Sequence, residues 1–335
     1  MRVVSYILIA YMLILCALRA ENIGTDTYHY ADMVSGIKSN TEEKLQFQLF
    51  FSLLIDIARV TTFPFFLSLC AFLTYIPLLI VLNKSCQRYL PIALLLFVVS
   101  MQGYFMNSLN IIRQIMAAVF LLCSYYELNK GRKLKFAVWY IIALLTHTSS
   151  LLYLPFIFLS FYKFSFKTVS IIVICFNCFA FFFSSAIGLN TIQTILSETD
   201  FLNLYHFAYY ANDSEHYGII GMIKLLIPTS FICLYSYKVL KGHFYCRLYL
   251  WGTILLCITA PLSTFALRIS MGLYVTELFL LPKLCMKQAL SCSKYSKIVV
   301  VGYMSFLTIY FLYIAFTMYI DDKLLVPYRF FFEEV

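Results

Sequence analysis

Four side chains that could do chemistry interrupt the apolar stretches of this 335-residue chain. They are Arg113 in "NIIRQIMA", Arg268 in "ALRISMGLY", Lys224 in "GMIKLL" and His147 in "LLTHTSS". A guanidinium binds phosphate oxygens through a planar two-pronged fork and stays charged at physiological pH. An imidazole has the ordinary pKa nearest to neutrality, which suits it to act as a general base. Together these residue types predict an anion-binding site with a proton acceptor nearby.

The surroundings of these residues are predicted from the composition. The chain is 62% hydrophobic and 12% charged, with a mean hydropathy of +0.84, which is more apolar surface than a soluble core can bury. A spanning helix needs about 20 mostly apolar residues. We therefore predict an all-α, polytopic integral membrane protein with a single domain over 1–335. About nine transmembrane helices are expected, at 3–20, 62–83, 88–106, 109–128, 167–187, 218–238, 247–263, 266–283 and 298–320.

Two further segments are predicted not to cross the membrane. Residues 134–161 lie between the basic runs "NKGRKLK" and "YKFSFK" and are too few for two full spans. They predict a re-entrant pair of half-helices that turns at "THTSS", in a place where protein or a wet cavity surrounds the turn. Residues 45–60 are short and polar at their ends, which predicts an interfacial helix on the outer side.

Orientation follows from the lysines and arginines, because short cytoplasmic loops retain them. A cytoplasmic N-terminus keeps most of them inside and leaves the C-terminus and three acid-leaning segments outside, at 21–61, 188–217 and 321–335. Arg113, Arg268 and Lys224 then each lie near the outer end of a span. For Arg113 the alternative to an anion site is a side chain that snorkels to the outer headgroups. The net charge of +9 reflects topology, so no nucleic acid partner is predicted.

No metal or cofactor is predicted. The pair Cys175 and Cys178 in "CFNC" lies inside an apolar stretch without a second ligand pair, which favours core packing over a metal site. The sequence has no P-loop, dinucleotide fingerprint or Asp-x-Asp triplet. Nothing in it therefore predicts a bound nucleotide.

Five motifs in order along the chain give it a family resemblance. They are "GTDTYHY", "NIIRQIMA", "ALLTHTSSLL", "ALRISMGLY" and "VPYRF". With them the chain resembles the EpsG/Wzy group of bacterial polysaccharide polymerases, membrane glycosyltransferases of exopolysaccharide, O-antigen and hence lipopolysaccharide assembly. The resemblance implies transfer of a growing glycan from undecaprenyl diphosphate to the next lipid-linked repeat unit, at the periplasmic face of the inner membrane. It also implies independence of metals and nucleotide sugars.

The resemblance implies roles for the first candidates. Arg113 and Arg268 would bind the donor diphosphate and stabilise the leaving-group charge, with Lys224 as a third cation of the site. His147 would act as general base for the acceptor hydroxyl. The alternative for His147 is a buried structural histidine bonded to a serine or threonine.

The other candidates would bind substrate. Gln114 and Asn110, placed on one helix, would orient Arg113 or bind sugar hydroxyls, and polar packing between helices is the alternative. Asp26 and Tyr28 would line the outer sugar site or supply another base, and ordinary loop residues are the alternative for both.

Three other functions remain open at this point. A lipid-linked oligosaccharide flippase or transporter, an O-antigen ligase and a membrane acyltransferase could each use cations or a histidine at membrane depth. The predicted partners are undecaprenyl-diphosphate-linked repeat units, membrane lipid, and the chain-length regulator and flippase of the same pathway.

Overall fold

The computed structural model describes residues 2–24, 26–36, 48–183, 219–260, 264–288, 294–317 and 328–333. Within these ranges the chain is helical and forms no sheet, and a single isolated β-bridge joins Arg19 to Phe330. The all-α prediction is confirmed. The predicted outward segment 188–217, most of 321–335 and residues 37–47 of the first outward segment lie outside the described residues.

The chain divides into two compact units. Unit 1 comprises Met1–Leu152 and Leu278–Val335, and unit 2 comprises Tyr153–Glu277. The helices up to the division are α1 Arg2–Ala17, α2 Thr27–Ser35, α3 Leu49–Arg59, α4 Phe63–Cys86, α5 Leu90–Val99, α6 Tyr104–Ser108, α7 Ile112–Asn129 and α8 Lys133–Thr146. Those that follow are α9 Leu154–Leu159, α10 Phe166–Phe183, α11 Ile219–Val239, α12 Phe244–Thr259, α13 Thr264–Tyr274, α14 Glu277–Gln288 and α15 Lys294–Thr317. The single domain over 1–335 remains a prediction.

Several helices are long and apolar enough to cross a bilayer. Among the described residues four stretches meet that standard: Phe63–Val99, Phe166–Phe183, Gly221–Val239 and Ile298–Ala315. Shorter apolar helices occupy Val3–Ala17, Thr148–Leu159 and Phe244–Thr259. These helices indicate a membrane protein, whereas the predicted number of nine spans is not confirmed.

Two of the predicted spans are interrupted. The stretch 88–106 is broken because α5 ends at Val99 after ten residues, about 15 Å of rise, or half the thickness of a hydrocarbon core. A backbone carbonyl of the loop between α5 and α6 is hydrogen-bonded locally. The side-chain amide of Asn107, in α6, donates to the Gln102 carbonyl at 2.7 Å. The stretch 266–283 is likewise divided between α13 and α14. Such breaks require local polar partners that a hydropathy average does not register.

Helices α7 and α8 form an antiparallel hairpin that organises unit 1. The chain reverses at Gly131, whose φ of +74° is the left-handed conformation that glycine adopts without strain. The rings of Phe120 and Trp139 meet across the hairpin with centroids 5.7 Å apart. This contact fixes the register between the two helices.

Helix α8 ends at the break that "THTSS" predicts. His147 follows its last residue in an extended conformation, with φ −153° and ψ 121°. The chain then turns back, because Tyr140 donates to the Ser150 carbonyl at 2.7 Å and the Ser150 hydroxyl donates to the Ala143 carbonyl at 3.2 Å. The turn thus supplies its own hydrogen bonds, and the re-entrant course of 134–161 in a membrane remains a prediction. The helix within 45–60 is present as α3, and its position at an interface is likewise a prediction.

Gly24 packs directly on the backbone that precedes α7. Gly24 has φ +88°, and a Cβ atom at this position would lie 2.6 Å from the Leu109 carbonyl oxygen. The hydroxyl of Thr27 donates to the Ile23 carbonyl at 2.6 Å and so closes the loop at the start of α2. Only glycine combines the left-handed conformation with this close approach.

We predict that Gly24→Ala destabilises the protein more than Gly36→Ala does. Gly36 is a matched control because its φ is +77° while nothing lies within 4 Å of a Cβ there, so alanine meets only backbone strain of about 1 kcal/mol. Alanine at Gly24 adds a clash with the Leu109 carbonyl. The thermal midpoints of the purified variants in detergent measure the difference, and equal midpoints would contradict the packing of this loop.

Candidate functional site

Arg113 lies in the first turn of α7 and is held by a side chain from the start of α3. Its Nη1 donates to Oε1 of Gln48 at 3.2 Å, and its Nε is buried without a hydrogen-bond partner. The ion pairs found in the described parts of the chain, Asp56 with Arg59 and Glu127 with Arg132, do not include it. Arg113 is therefore a half-buried cation that is positioned by the protein but not neutralised by these carboxylates.

Aromatic rings form the rest of the surroundings of Arg113. Its guanidinium carbon lies 5.7 Å from the ring centroid of Tyr30 and 5.4 Å from that of Phe51. Phe66 packs edge-on against Phe51, with centroids 5.8 Å apart, and extends the cluster. Ring faces attract a cation without binding its N–H groups, by about 0.5–2 kcal/mol. The cluster and Gln48 thus orient the guanidinium, while its buried Nε has no hydrogen-bond partner.

Tyr30 stays protonated in this environment. Burial raises the pKa of its hydroxyl above the ordinary value, and the positive charge of Arg113 acts in the opposite direction without cancelling the rise. The phenol is therefore neutral at physiological pH. It cannot serve as the counter-charge of Arg113.

His147 lies at nearly the same height as Arg113 along the hairpin. Starting from the Phe120–Trp139 contact, His147 is eight residues further along α8, about 12 Å, and Arg113 is seven residues back along α7, about 10.5 Å. Packed helices have axes roughly 8–10 Å apart. The sequence separates these two residues by a full hairpin, and the fold returns them to one end of unit 1.

The predicted substrate-binding residues of unit 1 cluster at that same end. The backbone N–H of Asp26 donates to Oδ1 of Asn110 at 2.8 Å, which ties the start of α2 to the residues before α7. The prediction that Asn110 shares a helix with Gln114 is wrong, because α7 begins only at Ile112 and Asn110 is buried in the preceding turn. An asparagine oxygen suits such a turn because it accepts a backbone N–H bond.

The remaining two residues of this end differ in surroundings. Gln114 is half-buried and adjacent to Arg113 in the first turn of α7, whereas Tyr28 is 49% exposed and contacts the ring of His29. Binding of substrate by either one remains a prediction.

Lys224 and Arg268 belong to unit 2. Lys224 is exposed near the start of α11, and Arg268 is half-buried in the second turn of α13. Helix α12 joins these two helices and packs against α13 through the rings of Tyr249 and Tyr274, 4.7 Å apart. Because α12 packs against both α11 and α13 and runs back between them, α11 and α13 begin at the same end of unit 2. Their participation in a site with Arg113 stays a prediction from the sequence.

Two residues of unit 1 were not anticipated from the sequence. Gln48 carries no signal, since a glutamine ahead of a short apolar helix is common. Arg19 lies at the end of the predicted span 3–20 and therefore resembles an ordinary flank, yet it is only 2% exposed. Over the described ranges, no group of three or more His, Cys, Asp or Glu residues could hold a metal ion.

We predict that Asn110→Ala accelerates hydrogen exchange at the Asp26 amide by about fivefold. The variant removes one hydrogen bond of about 1 kcal/mol, so local opening of the loop becomes more frequent. Hydrogen–deuterium exchange mass spectrometry on a peptide that covers 24–30 measures the change. Asn107→Ala is the control, because its side chain binds the Gln102 carbonyl instead; equal acceleration in both variants would contradict the assignment.

Comparison with known proteins agrees with this architecture at the level of the family. A model of the EpsG family matches residues 2–330, almost the whole chain and both units. No curated protein and no solved structure gives a significant match. The chain, with its interrupted apolar helices and its held arginine at the start of α7, belongs to the EpsG family.

Proposed function

We propose that the protein is a polysaccharide polymerase of the Wzy type. It transfers a growing glycan from undecaprenyl diphosphate to the next lipid-linked repeat unit at the periplasmic face of the inner membrane. Membership of the EpsG family suggests a polymerase-like function in polysaccharide biosynthesis. The lipid carrier, the O-antigen or other lipopolysaccharide product and the topology, with N-terminus cytoplasmic and C-terminus periplasmic, belong to the proposal.

The reaction breaks one bond and forms one bond at the anomeric carbon. A hydroxyl oxygen of the acceptor sugar attacks this carbon, the bond to the diphosphate oxygen breaks, and undecaprenyl diphosphate leaves with the electron pair. His147 takes the proton of the attacking hydroxyl. Arg113 binds the diphosphate and stabilises the charge that develops on it. The activated donor supplies the free energy, and the proposed reaction uses neither a nucleotide sugar nor a metal.

The observation that carries the proposal is the state of the Arg113 guanidinium. Gln48 and two ring faces fix its position, while its Nε is buried without a partner. An arginine that served only to reach the lipid headgroups would not need a hydrogen bond to Gln48 or contacts with the rings of Tyr30 and Phe51. A donor that is fixed before the ligand arrives loses little entropy on binding, which favours transition-state stabilisation.

The other residues complete the proposed site. Asp26 and Asn110 shape its outer loop, while Gln114 and Tyr28 are proposed to contact sugar hydroxyls. Arg268 and Lys224 are proposed, from the sequence, to bind phosphate as well. The chain-length regulator and flippase of the pathway are the proposed protein partners.

The proposal predicts the pattern of surface polysaccharide in a strain that lacks the gene. Complementation with the wild-type chain should restore long glycans, whereas Arg113→Ala should leave single repeat units because transfer falls by roughly a hundredfold or more. Arg113→Lys should fail almost as completely, since a lysine cannot form the bidentate fork. Gel electrophoresis of extracted polysaccharide, with membrane expression verified, gives the ladder.

Arg59→Lys is the matched control for this experiment. Arg59 is an exposed arginine of the neighbouring helix α3 that pairs with Asp56 at 3.4 Å, an interaction worth little at a surface. Its Nε donates to the Met33 carbonyl at 3.2 Å, and a lysine keeps the charge and an N–H donor at this position. This variant should produce the full ladder. A deletion strain that carries no repeat unit at all would instead indicate a flippase or a ligase, and full activity of Arg113→Lys would contradict bidentate binding.

A further inference from the structure

An apolar groove lies between α5 and α15 of unit 1, two helices that pack against each other. Its volume is about 840 Å³, and ligand sites usually measure roughly 300–1,000 Å³. Helix α5 lines the groove with Tyr89, Ile92 and Leu95, which follow one another at intervals of three residues and so share a face. Both helices belong to stretches long and apolar enough to cross a bilayer. We therefore expect the open side of the groove to face hydrocarbon.

Helix α15 forms the other wall with exposed apolar side chains. Val301 is 63% exposed and Ile309 is 69% exposed. The hydroxyl of Thr308 donates to the Met304 carbonyl at 2.8 Å and is thus satisfied within its own helix. The lining of α15 runs from Val300 to Ile309, about 13.5 Å of helix. One leaflet of the hydrocarbon core is about 15 Å thick, so the groove is about as long as one leaflet.

An arginine lies beside this groove, immediately before α5 begins. Arg88 precedes the lining residue Tyr89 and donates from Nη2 to the Tyr89 hydroxyl at 2.9 Å. Its guanidinium carbon also lies 4.9 Å from the centroid of that ring. The side chain is exposed, and neither ion pair found in the described ranges includes it. The groove thus has, at one end, a positioned cation that these carboxylates do not neutralise.

This end of unit 1 is opposite to the end that carries Arg113. Helices α4 and α7 run side by side in the same direction, because Phe66 belongs to the ring cluster at Arg113 and Pro77 accepts from the Cys123 thiol at 3.9 Å. From Phe66 to the end of α4 is about 30 Å, the full thickness of a hydrocarbon core. Arg88 follows shortly after that end. A phosphate bound at Arg88 is therefore not the diphosphate proposed to bind Arg113.

The groove and its cation together suit a lipid with an anionic head. One apolar chain about a leaflet long fills the groove, and a phosphate without a compensating cation meets the guanidinium. Anionic lipids are attracted to basic side chains at the cytoplasmic surface, which is the side of Arg88 in the proposed topology. An undecaprenyl chain is much longer than one leaflet. The dimensions therefore favour an ordinary anionic glycerophospholipid over the polyprenyl carrier.

We propose that this groove binds one anionic glycerophospholipid of the cytoplasmic leaflet, with an acyl chain between α5 and α15 and its phosphate on Arg88. The lipid covers the exposed apolar wall of α15 and so supports the packing of this helix on α5. Tyr89 has two parts in the site, since its ring lines the groove and its hydroxyl holds the arginine. The site does not depend on the proposed polymerase activity.

The test is lipid binding by the delipidated full chain in detergent, measured by native mass spectrometry. Phosphatidylglycerol and zwitterionic phosphatidylethanolamine with identical acyl chains are titrated separately, and the dissociation constants of the first bound lipid are compared. Phosphatidylglycerol should bind about fivefold more tightly, the preference expected from one cation at a membrane surface. Equal constants, or no bound lipid, would overturn the proposal. Displacement of phosphatidylglycerol by an equal or lower concentration of undecaprenyl phosphate would also overturn it, in favour of the carrier.

Two variants assign the binding to the groove. Arg88→Gln removes the charge and should make the two constants equal by weakening phosphatidylglycerol alone. Val301→Trp places a large ring in the groove from an exposed position and should weaken both lipids. Lys133→Gln, at an exposed cation of the same end, and Ile80→Trp, at a 48% exposed residue of α4 outside the lining, should bind like the wild type. A full preference in Arg88→Gln, or unchanged binding in Val301→Trp, would contradict the site.

Discussion

An arginine cannot lose its charge by releasing a proton, and this constraint shapes unit 1 around Arg113 and Arg19. A guanidinium within an apolar bundle must be accommodated by polar atoms, by ring faces or by an anion. Arg113 is accommodated by a polar atom of Gln48 and by the rings of Tyr30 and Phe51. Its Nε is buried without a hydrogen-bond partner. Arg19 is buried beside a small cavity and donates from Nη1 to the Cys16 carbonyl. The two arginines thus meet the same constraint with different partners.

Two helices of unit 1 end early. Helix α5 is ten residues long, and the turn before α7 is the one against which Gly24 packs. Helix α8 stops before His147, so the imidazole lies at the end of a hairpin instead of within a helix face. Interrupted helices place side chains and free backbone groups in the same region, which a bundle of uninterrupted spans does not provide.

The sequence predicts the helical class, the membrane character and the break at His147, because apolar length and a polar run such as "THTSS" are local signals. It does not predict the break after Val99, because a hydropathy average does not register the local polar partners of that turn. Nor does it predict the burial of Arg19, which depends on helices distant in the chain. The aromatic surroundings of Arg113 bring together residues of α2, α3 and α7. No spacing in the sequence predicts that these three helices are in contact. Asn110 illustrates the same limit: its residue type was noted, whereas its bond to the Asp26 amide follows from the tertiary fold.

The account rests on the claim that Arg113 acts on a lipid-linked diphosphate during glycan transfer. The most direct test is polymerisation by the purified protein in liposomes that contain only lipid-linked repeat units, with neither nucleotide sugar nor added metal. The account predicts glycans of more than one repeat together with release of undecaprenyl diphosphate by the wild-type chain, and neither product with Arg113→Ala. Polymerisation that persists undiminished in Arg113→Ala, or that requires a nucleotide sugar, would contradict it.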